Sequence, residues 1–80
     1  MSNKETYDKV FLESFSVEEK KLNDKLVYNS IETWDSIGHM QMIAELEDAF
    51  EIEFEMDDII NFSSYNKGME ILEKYGIEVN

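Results

Sequence analysis

The stretch Thr33-Trp34-Asp35-Ser36-Ile37-Gly38-His39-Met40 decides how this chain is read. Polar, turn-prone residues, Tyr28-Asn29-Ser30-Ile31-Glu32, precede it, and apolar residues recur after it at helical spacing as far as Phe50. The spacing predicts a helix over Ser36–Phe50, with Asp35 and Ser36 where turn becomes helix. A helix start presents N–H groups without intrahelical acceptors and carries partial positive charge. It is a favourable place to hold a phosphate on a serine oxygen.

At about 100° per residue, His39, Met42, Ile43, Leu46 and Phe50 fall on one stripe, which is the expected core face. Ile37, Met40 and Ala44 fall opposite, bordered by Gln41, Glu47, Asp48 and Glu51. A soluble helix needs one apolar face only. The second strip reads either as a partner surface rimmed by acids or as ordinary exposed apolar residues. Gly38 is unfavourable inside a helix; it reads either as room for a bulky group or enzyme to approach, or as a frayed first turn.

Outward from this helix, Ser2 and Glu5 form a possible capping box for a helix over Asn3–Phe15. Residues 16–35 are a long connection, with a short helical turn expected near Ser16–Glu19 and with Leu22, Leu26, Val27, Tyr28 and Ile31 tacking it onto the core. Glu51-Ile52-Glu53-Phe54-Glu55 alternates like a strand. No second strand is evident to satisfy its backbone, so it is expected to be an extended loop with Phe54 turned inward and Ile52 a further candidate. A short helix with acids in its first turn follows over Met56–Phe62. Ser63-Ser64 can cap a last helix, Tyr65–Tyr75, on which Tyr65, Gly68, Met69 and Leu72 share a face, with Gly76 as terminator. The expected fold is all-α, a small four-helix bundle with a long first loop and a short third helix, residues 1–80 forming one domain.

Nineteen acidic residues against seven basic ones, a net charge of −12, argue against nucleic acid and against an anionic membrane surface. They favour basic protein partners, or serve solubility alone. With no Cys there is no disulfide or Cys-based metal site, and no apolar run approaches a membrane span. A hydrophobic content of 42% suffices for a core despite the charge. The expectation is a soluble, cytoplasmic monomer. Catalysis has little to draw on: His39 lies on the core stripe, about 60° around the helix from Ser36, and nothing marks an oxyanion hole. Asp57, Asp58 and the glutamates 51, 53 and 55 could hold divalent ions loosely, but the calcium-loop pattern is absent and no specific metal site is expected.

Asp35-Ser36-Ile37, followed by Leu46-Glu47-Asp48-Ala49-Phe50 and then Asp57-Asp58-Ile59, resembles the acyl carrier protein family, whose attachment site is Asp-Ser-Leu. The resemblance covers nearly the whole chain and is strongest from Trp34 to Leu72. It implies that the chain is not an enzyme. Ser36 would carry 4′-phosphopantetheine, delivered from coenzyme A by a phosphopantetheinyl transferase, and Asp35 would aid recognition beside it. It also implies that Ile37, Met40, Glu47 and Asp48 meet partner enzymes with basic surfaces. Acyl groups would ride on the arm as thioesters in fatty-acid or specialised acyl biosynthesis, folding in many members into an apolar cavity between helices. Gly38 stands where an acid is usual, Gln41 where an acid is common, and Glu55 where proline is frequent, which looks like a dedicated rather than a housekeeping carrier. The remaining alternative is an unmodified acidic helical adaptor.

Overall fold

The computed structural model describes residues 2–79, and among them every regular element is helical. Helix α1 spans Asn3–Phe15, α2 Ser36–Phe50, α3 Met56–Asn61 and α4 Tyr65–Lys74. The first two have the bounds read from the sequence. Helix α3 ends one residue earlier than expected, as Phe62 leaves the helix to enter the core, and α4 ends at Lys74 with Tyr75 as its cap. The capping box of α1 is formed: Ser2 Oγ accepts from Glu5 N, and the Glu5 carboxylate accepts from Ser2 N. Ser64 caps α4 by accepting from Lys67 N at 2.9 Å.

The core is aromatic. Tyr7, Phe11 and Phe15 of α1 interlock with Trp34, Phe62 and Tyr65, and each has at most 3% of its surface exposed. From α2, Met42, Ile43 and Leu46 are buried as the periodicity requires, while His39 and Phe50 at the ends of the stripe are half-buried. Helix α4 contributes Ile71 and Leu72. Its Gly68 is a packing requirement, since a Cβ there would lie 2.2 Å from Phe62 Cζ and 2.3 Å from the Tyr7 hydroxyl. The two long helices α1 and α2 are also joined by Ser14 Oγ donating to Glu45 at 2.7 Å.

The connection 16–35 departs from expectation in detail. Its helical turn is a 3-10 turn at Glu19–Lys21. Leu26 is buried and Leu22 and Ile31 pack against the core, but Val27 and Tyr28 are exposed. What replaces them is backbone pairing: Tyr28 N donates to Ser63 O and Tyr65 N donates to Leu26 O, a single antiparallel bridge between the loop and the start of α4. The alternating segment 51–55 is an extended loop with Phe54 buried and Ile52 half-buried.

Asp58 corrects the sequence reading most sharply. Placed there among the acids that could hold a divalent ion loosely, it is buried and receives hydrogen bonds from Lys74 Nζ and the Tyr75 hydroxyl of α4. The Lys74 ammonium, and then the Tyr75 donor, hold its carboxyl below the ordinary 3.8. A carboxyl with a depressed folded value adds stability that is present above the unfolded value and lost as pH falls through the folded one. Asp58→Asn should therefore lower the melting temperature at neutral pH, and the gap to wild type should narrow as pH falls below about 4. A gap of constant size across an acid titration would show that the carboxylate charge is not what holds α3 to α4.

Candidate functional site

Asp35 is the N-cap of α2. Its backbone is extended, its side chain accepts from Gly38 N at 2.8 Å, and its carbonyl accepts from His39 N at 2.8 Å. Aspartate is among the strongest N-caps because its carboxylate satisfies an otherwise unpartnered helix N–H. Ser36 is thereby the first residue of the helix, solvent-exposed, and its hydroxyl makes no hydrogen bond within the described residues. The N–H groups of Ser36 and Ile37 have no intrahelical acceptor by the geometry of a helix start. The donor set suits a phosphodiester on Ser36 Oγ: two unused N–H groups and the positive end of a fifteen-residue helix, with the Asp35 carboxylate already committed to Gly38.

Gly38 neither frays the turn nor opens a way for an enzyme. It is buried, and a Cβ there would lie 1.9 Å from the carbonyl oxygen of Thr33 and 3.3 Å from Phe15. Thr33 is itself fixed by its hydroxyl donating to Phe15 O at 2.7 Å. The absence of a side chain at 38 is what allows the preceding loop to close over the first turn of α2.

Ser36 opens on a groove of about 390 Å³ between α2 and α3, lined by Tyr28, Ser36, His39, Met40, Met56, Ile59, Ile60, Phe62 and Ser63. None of these carries a formal charge with His39 neutral, in a chain with 19 acidic residues. At the floor, the Trp34 indole donates to His39 Nδ1 at 2.9 Å, and His39 Nε2 lies 2.8 Å from Ile59 O. An indole N–H can only donate, so Nδ1 is the acceptor and Nε2 carries the proton given to Ile59 O. Both ring nitrogens are thus occupied, and His39 is not placed to take a proton from Ser36. The serine–histidine hydrolase reading has no base. Among the described residues no three His, Cys, Asp or Glu side chains gather where a metal ion could be held, and no helix is long and apolar enough to cross a membrane.

Around the groove mouth, Ile37 is 77% exposed and Met40 52%. Gln41, Ala44 and Asp48 are exposed on the same side, away from the core, as the helical wheel placed them. Glu47 differs: it is half-buried and its carboxylate accepts from Phe54 N at 2.9 Å, pinning the loop 51–55 to α2. Two residues not singled out in the sequence, Met56 and Ile60 of α3, are each 70% exposed and extend the apolar surface across the groove. Their i, i+4 spacing on the short helix was the available signal.

Residues 34–67 match the family model of the phosphopantetheine attachment site. No curated protein and no solved structure gives a significant match to the chain. This segment contains Asp35, Ser36, the whole of α2 and α3 and the start of α4, and over it the chain is similar to phosphopantetheine attachment sites. The family binds 4′-phosphopantetheine, and its attachment domains are not catalytic themselves.

Proposed function

We propose that this chain is an acyl carrier protein with Ser36 as its attachment residue. It would hold acyl intermediates for enzymes of fatty-acid or specialised acyl biosynthesis, working as a monomer in the cytoplasm and catalysing nothing itself. The observation that carries this reading is the exposed, unpartnered Ser36 hydroxyl at the start of α2, beside an uncharged groove, inside the segment that matches the family. When attached, the arm supplies a thiol that takes an acyl group as a thioester. The chain's own residues do the rest. Asp35 fixes the helix start, the first-turn N–H groups face the phosphate, and the groove offers apolar surface to an uncharged acyl chain. A charged aminoacyl group would lose hydration there and find no counter-charge.

Partners would be a phosphopantetheinyl transferase and acyl-loading and acyl-transferring enzymes with basic surfaces. Ile37, Met40 and Ala44 form the apolar strip they would bury, and Asp35, Gln41, Glu47 and Asp48 its polar border. A net charge of −12 steers a basic partner, and the strip then holds it. Asp48→Lys should slow association with the transferase, most visibly at low salt. Met40→Ala should mainly speed dissociation, as full burial of a methionine is worth about 1.5–3 kcal/mol. Neither should unfold the domain. Glu47→Lys is a poorer probe because its carboxylate also holds Phe54 N. Transferase kinetics across a salt series, with circular dichroism as the folding control, test this face. A rate indifferent to Asp48→Lys at low salt would remove it from the interface.

A further inference from the structure

Helix α3 has six residues and no side-chain N-cap, too short to persist without tertiary ties. It has two polar tethers. On the side of α4, Asp58 binds Lys74 and Tyr75. On the groove side, His39 donates to the carbonyl of Ile59, one of the last four carbonyls of α3, which have no intrahelical donor. The imidazole is in turn fixed from behind. Trp34 donates to its Nδ1 and stacks on it at 6.2 Å between ring centres, and Trp34, fully buried, lies against Phe15 at 4.9 Å and Phe11 at 5.5 Å. A rigid line therefore runs from α1 through Trp34 and His39 to α3. Met40 stands on one side of the groove, and Met56 and Ile60 on the other.

We propose that His39 is a positioning residue that sets how far the groove beside Ser36 opens, and through it the length of acyl chain the carrier shelters. The proposal rests on the carrier reading above. A chain that fits over the His39–Phe62 floor leaves the tether intact. A longer one must move α3 away from α2 and break the bond from His39 to Ile59, or lie outside in water. His39 touches no reacting atom in this role; it acts through α3.

The test compares wild type, His39→Leu and His39→Gln in the holo form, loaded with saturated acyl groups from butyryl to hexadecanoyl. Hydroxylamine cleavage of the thioester reports shelter, and amide exchange reports α3. In wild type, cleavage should slow with chain length and then level off. In His39→Leu the levelling should move to longer chains, and α3 amides should exchange about tenfold faster with α1 unchanged, the scale of one lost hydrogen bond. His39→Gln keeps a donor and should restore part of the wild-type pattern. Wild type alone also decides the matter, because the longest chains should speed exchange in α3. The same length dependence in all three proteins, or α3 exchange unchanged across the wild-type series, overturns the proposal and leaves the carrier reading standing. Failure of every variant and of wild type to accept the arm overturns the carrier reading, and the proposal with it.

Discussion

Trp34→Ala should cost about 3–5 kcal/mol, the usual range for truncating a buried tryptophan. Against the roughly 5–15 kcal/mol of a typical domain, that would leave a large unfolded population on mild heating. The indole is fully buried, stacks on Phe15, meets Phe11 edge-on and makes the one hydrogen bond to His39 Nδ1. Its removal leaves a cavity at the junction of α1, α2 and the long loop, and an acceptor without its donor. Trp34→Phe should cost less, because a ring remains to fill the space. Urea or thermal unfolding followed by circular dichroism measures both. An alanine variant as stable as wild type would mean that the aromatic core is held by α1 and α4 alone.

The second large effect is expected at Gly38. An alanine Cβ would lie 1.9 Å from a backbone oxygen, and Thr33 cannot give way while its hydroxyl holds Phe15 O. Overpacking of this kind typically costs about 1–3 kcal/mol, occasionally more, and here the clash involves backbone rather than the end of a flexible side chain. Relief requires moving the residues just before Ser36. Gly38→Ala should therefore lower stability and, in the fraction still folded, slow modification of the serine. A folded Gly38→Ala protein modified at the wild-type rate would show that the loop 30–35 does not position the site. Gly68→Ala tests a neighbouring part of the core without touching the serine. Its clash is with Phe62 and Tyr7, so it should lower stability while leaving the modification rate of the folded fraction alone.

These two positions also show what could be read from sequence. The bounds of α1 and α2 were legible because a capping box and an apolar stripe are local, periodic signals. The exposed strip of Ile37, Met40 and Ala44 follows from the same periodicity. Trp34 was not recognised as core because a residue just before a helix start belongs to no stripe, and its burial comes from α1 folding against it. Gly38 was misread because its reason is a carbonyl five residues earlier, brought close only when the loop closes. Asp58 was grouped with the surface acids, since its partners Lys74 and Tyr75 lie a helix away. The path of 16–35 was hidden because its anchors are backbone hydrogen bonds to Ser63 and Tyr65, which side-chain identity does not encode. Ser36 stands out as the proposed attachment residue because its signals are local: a helix start, an aspartate before it and an apolar helix after it.

The central claim is that Ser36 carries the arm, and intact-mass spectrometry tests it most directly. Wild type and Ser36→Ala are incubated with coenzyme A and a promiscuous phosphopantetheinyl transferase, with circular dichroism confirming that both are folded. Ser36 is exposed and its side chain holds no other residue, so the substitution should leave the fold intact. The prediction is a single phosphopantetheine increment on wild type and none on Ser36→Ala. An increment on the alanine variant, or an unmodified wild type with several competent transferases, would contradict it.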